Sequence, residues 1–358
     1  MDPKVEELGK GKIPKLLLNY ALPAIIATTA SSSYNIIDRI FIGQGVGPMA
    51  ISGLTLTMPI MNLAVAFGTL VGAGAAALVS IRMGQKRRAD AIRILGNALT
   101  LNIILGITFS VFALIYLDDI LRLFGASDQT LPYAREFMQI ILAANVIPHI
   151  FYGLNNVMRA SGYPAKAMIS ILLTIAINII LAPIFIFVLD LGIRGAAMAT
   201  VIAQTIGMIW VLAHFYSRKP YIHFRFSGFK LRKTIVTDIF AIGMSPFAIH
   251  VAASVVSIIT NLKLSEYGGD FAIGAYGIIG SIGMLVVMII LGLTQGMQPI
   301  VGYNYGARQY DRVTGALKLT ILWATAISFL GFLAGIILPE QIARAFTNDE
   351  TMIATTVH

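Results

Sequence analysis

One acid stands apart in this chain. Of the 17 Asp and Glu residues, sixteen fall in polar segments or at the ends of apolar runs; only Asp38 lies well inside one. An ionisable group at that depth of a membrane helix costs about 2.5–3.5 kcal/mol on insertion scales, and such groups mark proton, ion or substrate sites. Ser31, Asn35 and Asp38 follow i, i+4, i+7 spacing and share a helical face, with Tyr34 beside them. A polar stripe of this kind belongs against a protein cavity and not against lipid. Pro23, fifteen residues earlier on the same helix, removes a backbone hydrogen bond and marks a kink or a hinge. Two plainer readings stay open: an Asp38–Arg39 pair near the outer interface, and a static bend at Pro23.

Other polar residues inside apolar runs are Asn178, Thr200 and Gln204. Each either contributes to a site or bridges neighbouring helices. His149 and His250 are lone imidazoles without carboxylates at metal spacing. Gly72-Ala73-Gly74 has no preceding strand or trailing ribose acid, so a dinucleotide reading fails. Walker, zincin and serine-triad patterns do not occur, and with Cys at 0 there is no thiolate site or disulfide. No catalytic residue, metal site or cofactor is expected, and the protein is read as a non-enzyme. The 15 Met and the aromatic share of 9% suit an adaptable cavity for apolar cations, though most will serve packing.

Composition says what holds these residues in place. Charged residues make up 12% and hydrophobic residues 57%, with mean hydropathy +0.81. Soluble domains run at about a quarter charged, so a soluble enzyme, a disordered chain and a fibrous repeat are excluded. An all-α polytopic membrane protein remains. Nine spans are predicted, near 16–42, 51–81, 91–117, 132–158, 165–189, 195–217, 235–262, 271–303 and 313–338, with a tenth starting near Thr351. With the amino terminus cytoplasmic, twenty of the 26 Lys and Arg fall on inside segments. This is the positive-inside pattern of a multi-pass plasma (inner) membrane protein. The net charge of +9 therefore sets topology and meets anionic headgroups of the bilayer, and no nucleic-acid partner is expected. The first apolar run is too long for a signal peptide and reads as a retained span.

The chain also looks duplicated. Gly84 and Gly306, and Phe124 and Phe346, are each 222 positions apart; Pro23 and Pro246 differ by 223. Six spans separate the copies, so the halves would be parallel repeats about an axis along the membrane normal. The expected organisation is a six-helix bundle over 1–217, a basic cytoplasmic linker over 218–234, and a second bundle over 235–358. That second bundle would hold three spans and the start of a fourth, an incomplete counterpart of the first.

These residues resemble a known family. Leu22-Pro23-Ala24, Tyr34 through Gly43, Arg159-Ala160-Ser161-Gly162 and Gly195 through Thr200 carry the likeness, with Tyr267-Gly268-Gly269-Asp270 and the long run Gln295 through Ala307 in the second half. The chain is similar over its whole length to the multidrug and toxic compound extrusion (MATE) transporters, within them to the DinF-like and MepA-like branch. The resemblance implies two pseudo-symmetric helical bundles facing each other across a V-shaped cleft. It implies secondary active efflux of small cationic amphipathic drugs or toxic compounds by antiport with protons or sodium ions, in a chain acting as a monomer. It carries the coupling role onto Asp38, the bend onto Pro23, and site roles onto Tyr34, Asn178 and Thr200, with Asn35 on the same stripe.

One departure bears on the coupling ion. Where the family pattern has a second acid just before a proline, this sequence has Ala182 ahead of Pro183, and another branch's acid position is Ser254. A hard cation wants several oxygens, whereas a proton needs a single carboxyl, so protons are favoured over sodium. The alternative function is a flippase for lipid-linked saccharides or other amphiphiles in the same superfamily. It would need a cationic cavity, and the spans carry almost no interior Lys or Arg. A channel would show charge rings or filter repeats, which are absent from the sequence.

Overall fold

The computed structural model describes residues 3–344 and Ile353, apart from the side chains of residues 4, 35, 36, 48, 254, 257, 258, 260–282, 342 and 343. Phe346 and Thr351 lie outside the described residues, as do the side chains of Asn35, Ser254 and residues 267–270.

Helices account for the regular structure of the described residues, and no strand occurs among them. In chain order they are α1 (Pro3–Lys10), α2 (Ile13–Gly45), α3 (Pro48–Gly84), α4 (Arg88–Ile115), α5 (Leu117–Leu123), α6 (Leu131–Ala143), α7 (Val146–Ala160), α8 (Pro164–Pro183), α9 (Gly192–Tyr216), α10 (Lys233–Gly306), α11 (Tyr310–Ile337) and α12 (Pro339–Arg344). Proline sits in the first turn of α2, α3, α6 and α8, where a missing N–H costs nothing. A π-helical turn, Ile184–Val188, follows Pro183 and ends α8.

Eight segments of the described helices are long and apolar enough to cross a membrane, two of them in α10 (Lys233–Ala253 and Gly283–Gly306), and the bent pair α6–α7 makes a ninth. The protein is a multi-pass membrane protein. Its α11 exposes Ile321, Leu322, Phe329, Leu330, Phe332 and Ile336, the apolar surface that suits lipid, while Asn97, Asn102, Asn155 and Asn304 are buried.

Two elements differ from the sequence reading. The span expected at 132–158 is broken at Ala144–Asn145, with a bend of 57° between α6 and α7. Pro148 explains the break, since it cannot donate to the Ala144 carbonyl one turn back. The spans expected at 235–262 and 271–303 belong to one element that is helical throughout, with no loop between them. A straight helix of that length would extend about 110 Å. Instead both ends meet the same stretch of α3: Ile239 and Gly243 lie against Gly74, and Gln298 Nε2 donates to the neighbouring Ala73 carbonyl at 3.1 Å. α10 is therefore doubled back into two arms side by side.

The internal repeat is visible in the backbone. α4 and α11 begin and end at positions 222 apart. The turns before them match bond for bond. Lys86 and Arg308 both adopt φ 60°, a left-handed conformation uncommon outside glycine. Arg87 N donates to Arg82 O, and Gln309 N to Asn304 O, each at 2.9 Å.

The two halves also meet reciprocally. A Cβ on Gly84 would collide with the Tyr303 carbonyl, and one on Gly306 with the Ile81 carbonyl. Tyr303 and Ile81 are themselves 222 apart. Gly292 and Gly296 of α10 lie flush on Ile25 and Ala21 of α2. Small residues at this spacing let membrane helices approach to backbone contact.

Candidate functional site

Two different surroundings divide α2. Its lower half, around Pro23, is gripped by α10: Ala21 and Ile25 touch Gly296 and Gly292, and Thr28 Oγ1 donates to Met288 O at 2.9 Å. The helix runs through Pro23 unbroken. The upper half turns instead to elements of its own bundle. Gly43 packs against Ile51 of α3, and Gly45 against Ile186 and Phe187 of the π-helical turn. Asp38 lies on that upper half.

Its surroundings are polar. Tyr34 and Asp38, one turn apart on α2, interact with each other, and Tyr34 also reaches Thr200 of α9. Asn178 Nδ2 of α8 donates to Thr200 Oγ1 at 3.0 Å, and Thr200 Oγ1 donates to Ala196 O at 3.1 Å. Tyr152 of α7 interacts with Tyr34 and with Gln204 of α9. Helices α2, α7, α8 and α9 thus converge on one polar cluster within the first bundle. Tyr34 and Asp38 are half-buried and Asn178 is 2% exposed. Three oxygens in the cluster are sealed from solvent: Tyr34 Oη, Asp38 Oδ1 and Asn178 Oδ1.

Of the residues singled out in the sequence, Asp38, Tyr34, Asn178 and Thr200 come together here, and the side chain of Asn35 lies outside the described residues. Arg39 is exposed, its Nη2 stands 3.0 Å from Met58 Sδ, and it forms no ion pair with Asp38. Ala182, at the position of the family's second acid, is fully buried in an apolar cluster with Ile42 and Ile186. His149 is elsewhere, its Nδ1 2.9 Å from Asn145 O in the interior of the bundle. Tyr152 was not picked out by sequence reasoning. Its only signal was a hydroxyl in an apolar run, which the aromatic ring conceals. Among the described residues no group of three or more His, Asp or Glu converges as a metal site would require.

Comparison with known proteins identifies this architecture. The family model described as MatE matches residues 23–184 and 246–358. The chain belongs to the MatE family. The multidrug export protein MepA of Staphylococcus haemolyticus (strain JCSC1435) is 29% identical over 352 residues, covering 98% of this chain and 77% of that one. Two crystal structures titled MATE, one in the bent and one in the straight conformation, are each 24% identical and cover all of this chain. They superpose with TM-scores of 0.92 and 0.93 and are covered to 80% and 79%. MatE membership fits the paired bundles and the reciprocal glycine contacts that join them.

Proposed function

We propose that this protein exports small cationic amphipathic compounds across the plasma membrane in exchange for protons, with Asp38 as the coupling carboxyl. The observation that carries the reading is the cluster on upper α2, where Asp38 and Tyr34 interact, their Oδ1 and Oη sealed from solvent, beside the Asn178–Thr200 bridge. The MepA relative's name as a multidrug export protein supports the cargo class. The distribution of basic residues supports an amino terminus in the cytoplasm, and the reading takes the transporting unit as a monomer.

In this reading the cleft alternates between the two faces. With Asp38 ionised, the cluster holds a negative charge and the chain takes up a cationic compound from the inner side. A proton arriving from outside neutralises the carboxyl. Tyr34, Asn178 and Thr200 then exchange partners around it, and upper α2 repacks while lower α2 stays gripped by α10. Pro23 lies within the gripped segment, between Ala21 and Ile25, where one missing backbone hydrogen bond lowers the cost of bending. The crystal structures titled bent and straight show that relatives occupy two conformations. Sodium is the second reading, which the several side-chain oxygens of Asp38, Tyr34, Asn178 and Thr200 would suit.

The test is ethidium accumulation in cells expressing Asp38→Asn at matched levels. The substitution keeps the volume and removes the titration. Raised accumulation, as in cells without the transporter, supports the reading; wild-type efflux removes Asp38 from the mechanism.

A further inference from the structure

The amino-terminal segment is held by the opposite half of the molecule. α1 ends at Lys10, and its last carbonyls lack partners within the helix, as at every helix C-terminus. The carbonyls of Leu8, in the last turn, and of Gly11, just past the helix, are filled from across the interface. Arg312, at the start of α11, donates from Nη2 to Gly11 O at 2.7 Å and to Leu8 O at 3.2 Å. Its Nε donates to Asn304 Oδ1 at 2.8 Å. Asn304 is fully buried and donates from Nδ2 to Leu8 O at 2.9 Å. A cation at a helix C-terminus also meets the negative end of the helix dipole. Val5 and Leu8 are fully buried, and the Tyr303 ring covers Gly9. α1 is therefore docked, and only Gly11 and Lys12 separate it from the base of α2.

The counterpart exists on the other side. The segment leading into α10 is held by α4 of the first half. Asn97 Nδ2 donates to Gly228 O at 2.9 Å and to Lys230 O at 3.1 Å, and Arg232 N donates to Asn97 Oδ1 at 2.9 Å. The leader of each half is thus tied to the third span of the other. Between these ties lie the flush glycine contacts and the Arg82–Asp238 pair at 3.7 Å. Both ties are backbone carbonyls gripped by side chains, and among the described residues only the Arg312 tie brings a full charge to carbonyls at the root of the helix that carries Asp38.

We infer that Arg312, positioned by Asn304, is the latch of the inner face: by gripping the Leu8 and Gly11 carbonyls it holds the base of α2 to the second half, and its release is the step that lets the cleft open toward the side carrying the amino terminus. The inference rests on the alternating-access reading above but not on which ion drives it. It assigns Arg312 a positioning role, acting on the population of the two conformations and touching neither cargo nor ion. A ligand-free shift between two states follows the difference in their interaction energies. Removal of the two charge-assisted bonds that cross the interface, to Leu8 O and Gly11 O, therefore moves the balance by about tenfold or more.

The chain has no cysteine, so a single reporter thiol needs no background removal. Ser80 is fully buried, with Gly302 of the other half packed against its Cβ. In Ser80→Cys, labelling by a membrane-impermeant maleimide in sided vesicles reads opening of that seam. The expected result is slow labelling with Arg312 present and a rate about tenfold or more higher from the amino-terminal face in Ser80→Cys/Arg312→Ala, with Arg312→Lys in between. Equal rates with and without the Arg312 side chain overturn the latch. If Arg312→Ala does not yield folded protein, Arg312→Gln carries the comparison under the same two outcomes. No cargo or coupling ion enters this assay. A failed latch with efflux lost in Asp38→Asn leaves the proposed function standing, and an opened seam with efflux kept in Asp38→Asn leaves only the latch.

Discussion

Gly84 and Gly306 occupy equivalent positions 222 residues apart, and each lies directly against the helix that carries the other. Gly84 faces the Tyr303 carbonyl and Gly306 the Ile81 carbonyl. Neither site has room for a methyl group, and the colliding atom is backbone in both cases. We predict that Gly84→Ala and Gly306→Ala lower the melting temperature of the detergent-solubilised protein by similar amounts. The cost is about 1–3 kcal/mol each, the usual penalty of overpacking. Gly283→Ala, where an added Cβ meets nothing within 4 Å, leaves it unchanged. Unequal effects of the first two would contradict the reciprocal interface.

The Asn178–Thr200 bond separates two roles that sequence left open, structural bridge and site. Thr200→Val leaves the buried Asn178 amide without its partner, at a cost of about 1–3 kcal/mol. Pairing it with Asn178→Leu replaces both polar groups by apolar ones and restores most of the stability. A bridge alone would regain efflux along with stability in the double variant. We predict that thermal stability returns while ethidium efflux stays lost.

Arg39 is the nearest cation to Asp38 in sequence, yet it turns outward to Met58. Arg39→Ala is predicted to leave efflux within about twofold of wild type and stability within about 0.5 kcal/mol, as for surface changes generally. A loss of efflux like that of Asp38→Asn would restore the pair as the functional unit.

Most of the fold was legible because membrane helices advertise themselves by length and apolarity, and the 222-residue offset read from Gly84 and Gly306 recurs in the bounds of α4 and α11. The α6–α7 break was less visible. Pro148 and Asn145 were in view, but in a membrane a proline bends some helices and interrupts others, and surroundings decide which. The site was legible in part. Asp38, Tyr34, Asn178 and Thr200 are polar groups in apolar runs, and burial cost alone singles them out. That they meet depends on how α2 leans on α8 and α9, which no single helix encodes. The latch was hidden for another reason. Arg312 reads as an ordinary inside-facing charge, and its partners are backbone carbonyls of Leu8 and Gly11, which carry no side-chain signature.

The central claim is that the Asp38 carboxyl exchanges a proton for cargo. Its direct test uses purified protein in liposomes loaded with a pH-sensitive dye, with ethidium added under an imposed proton gradient. The account predicts proton movement coupled to ethidium transport in the wild type and its loss in Asp38→Asn. Ethidium transport that needs a sodium gradient and moves no protons, or proton movement preserved in Asp38→Asn, would contradict it.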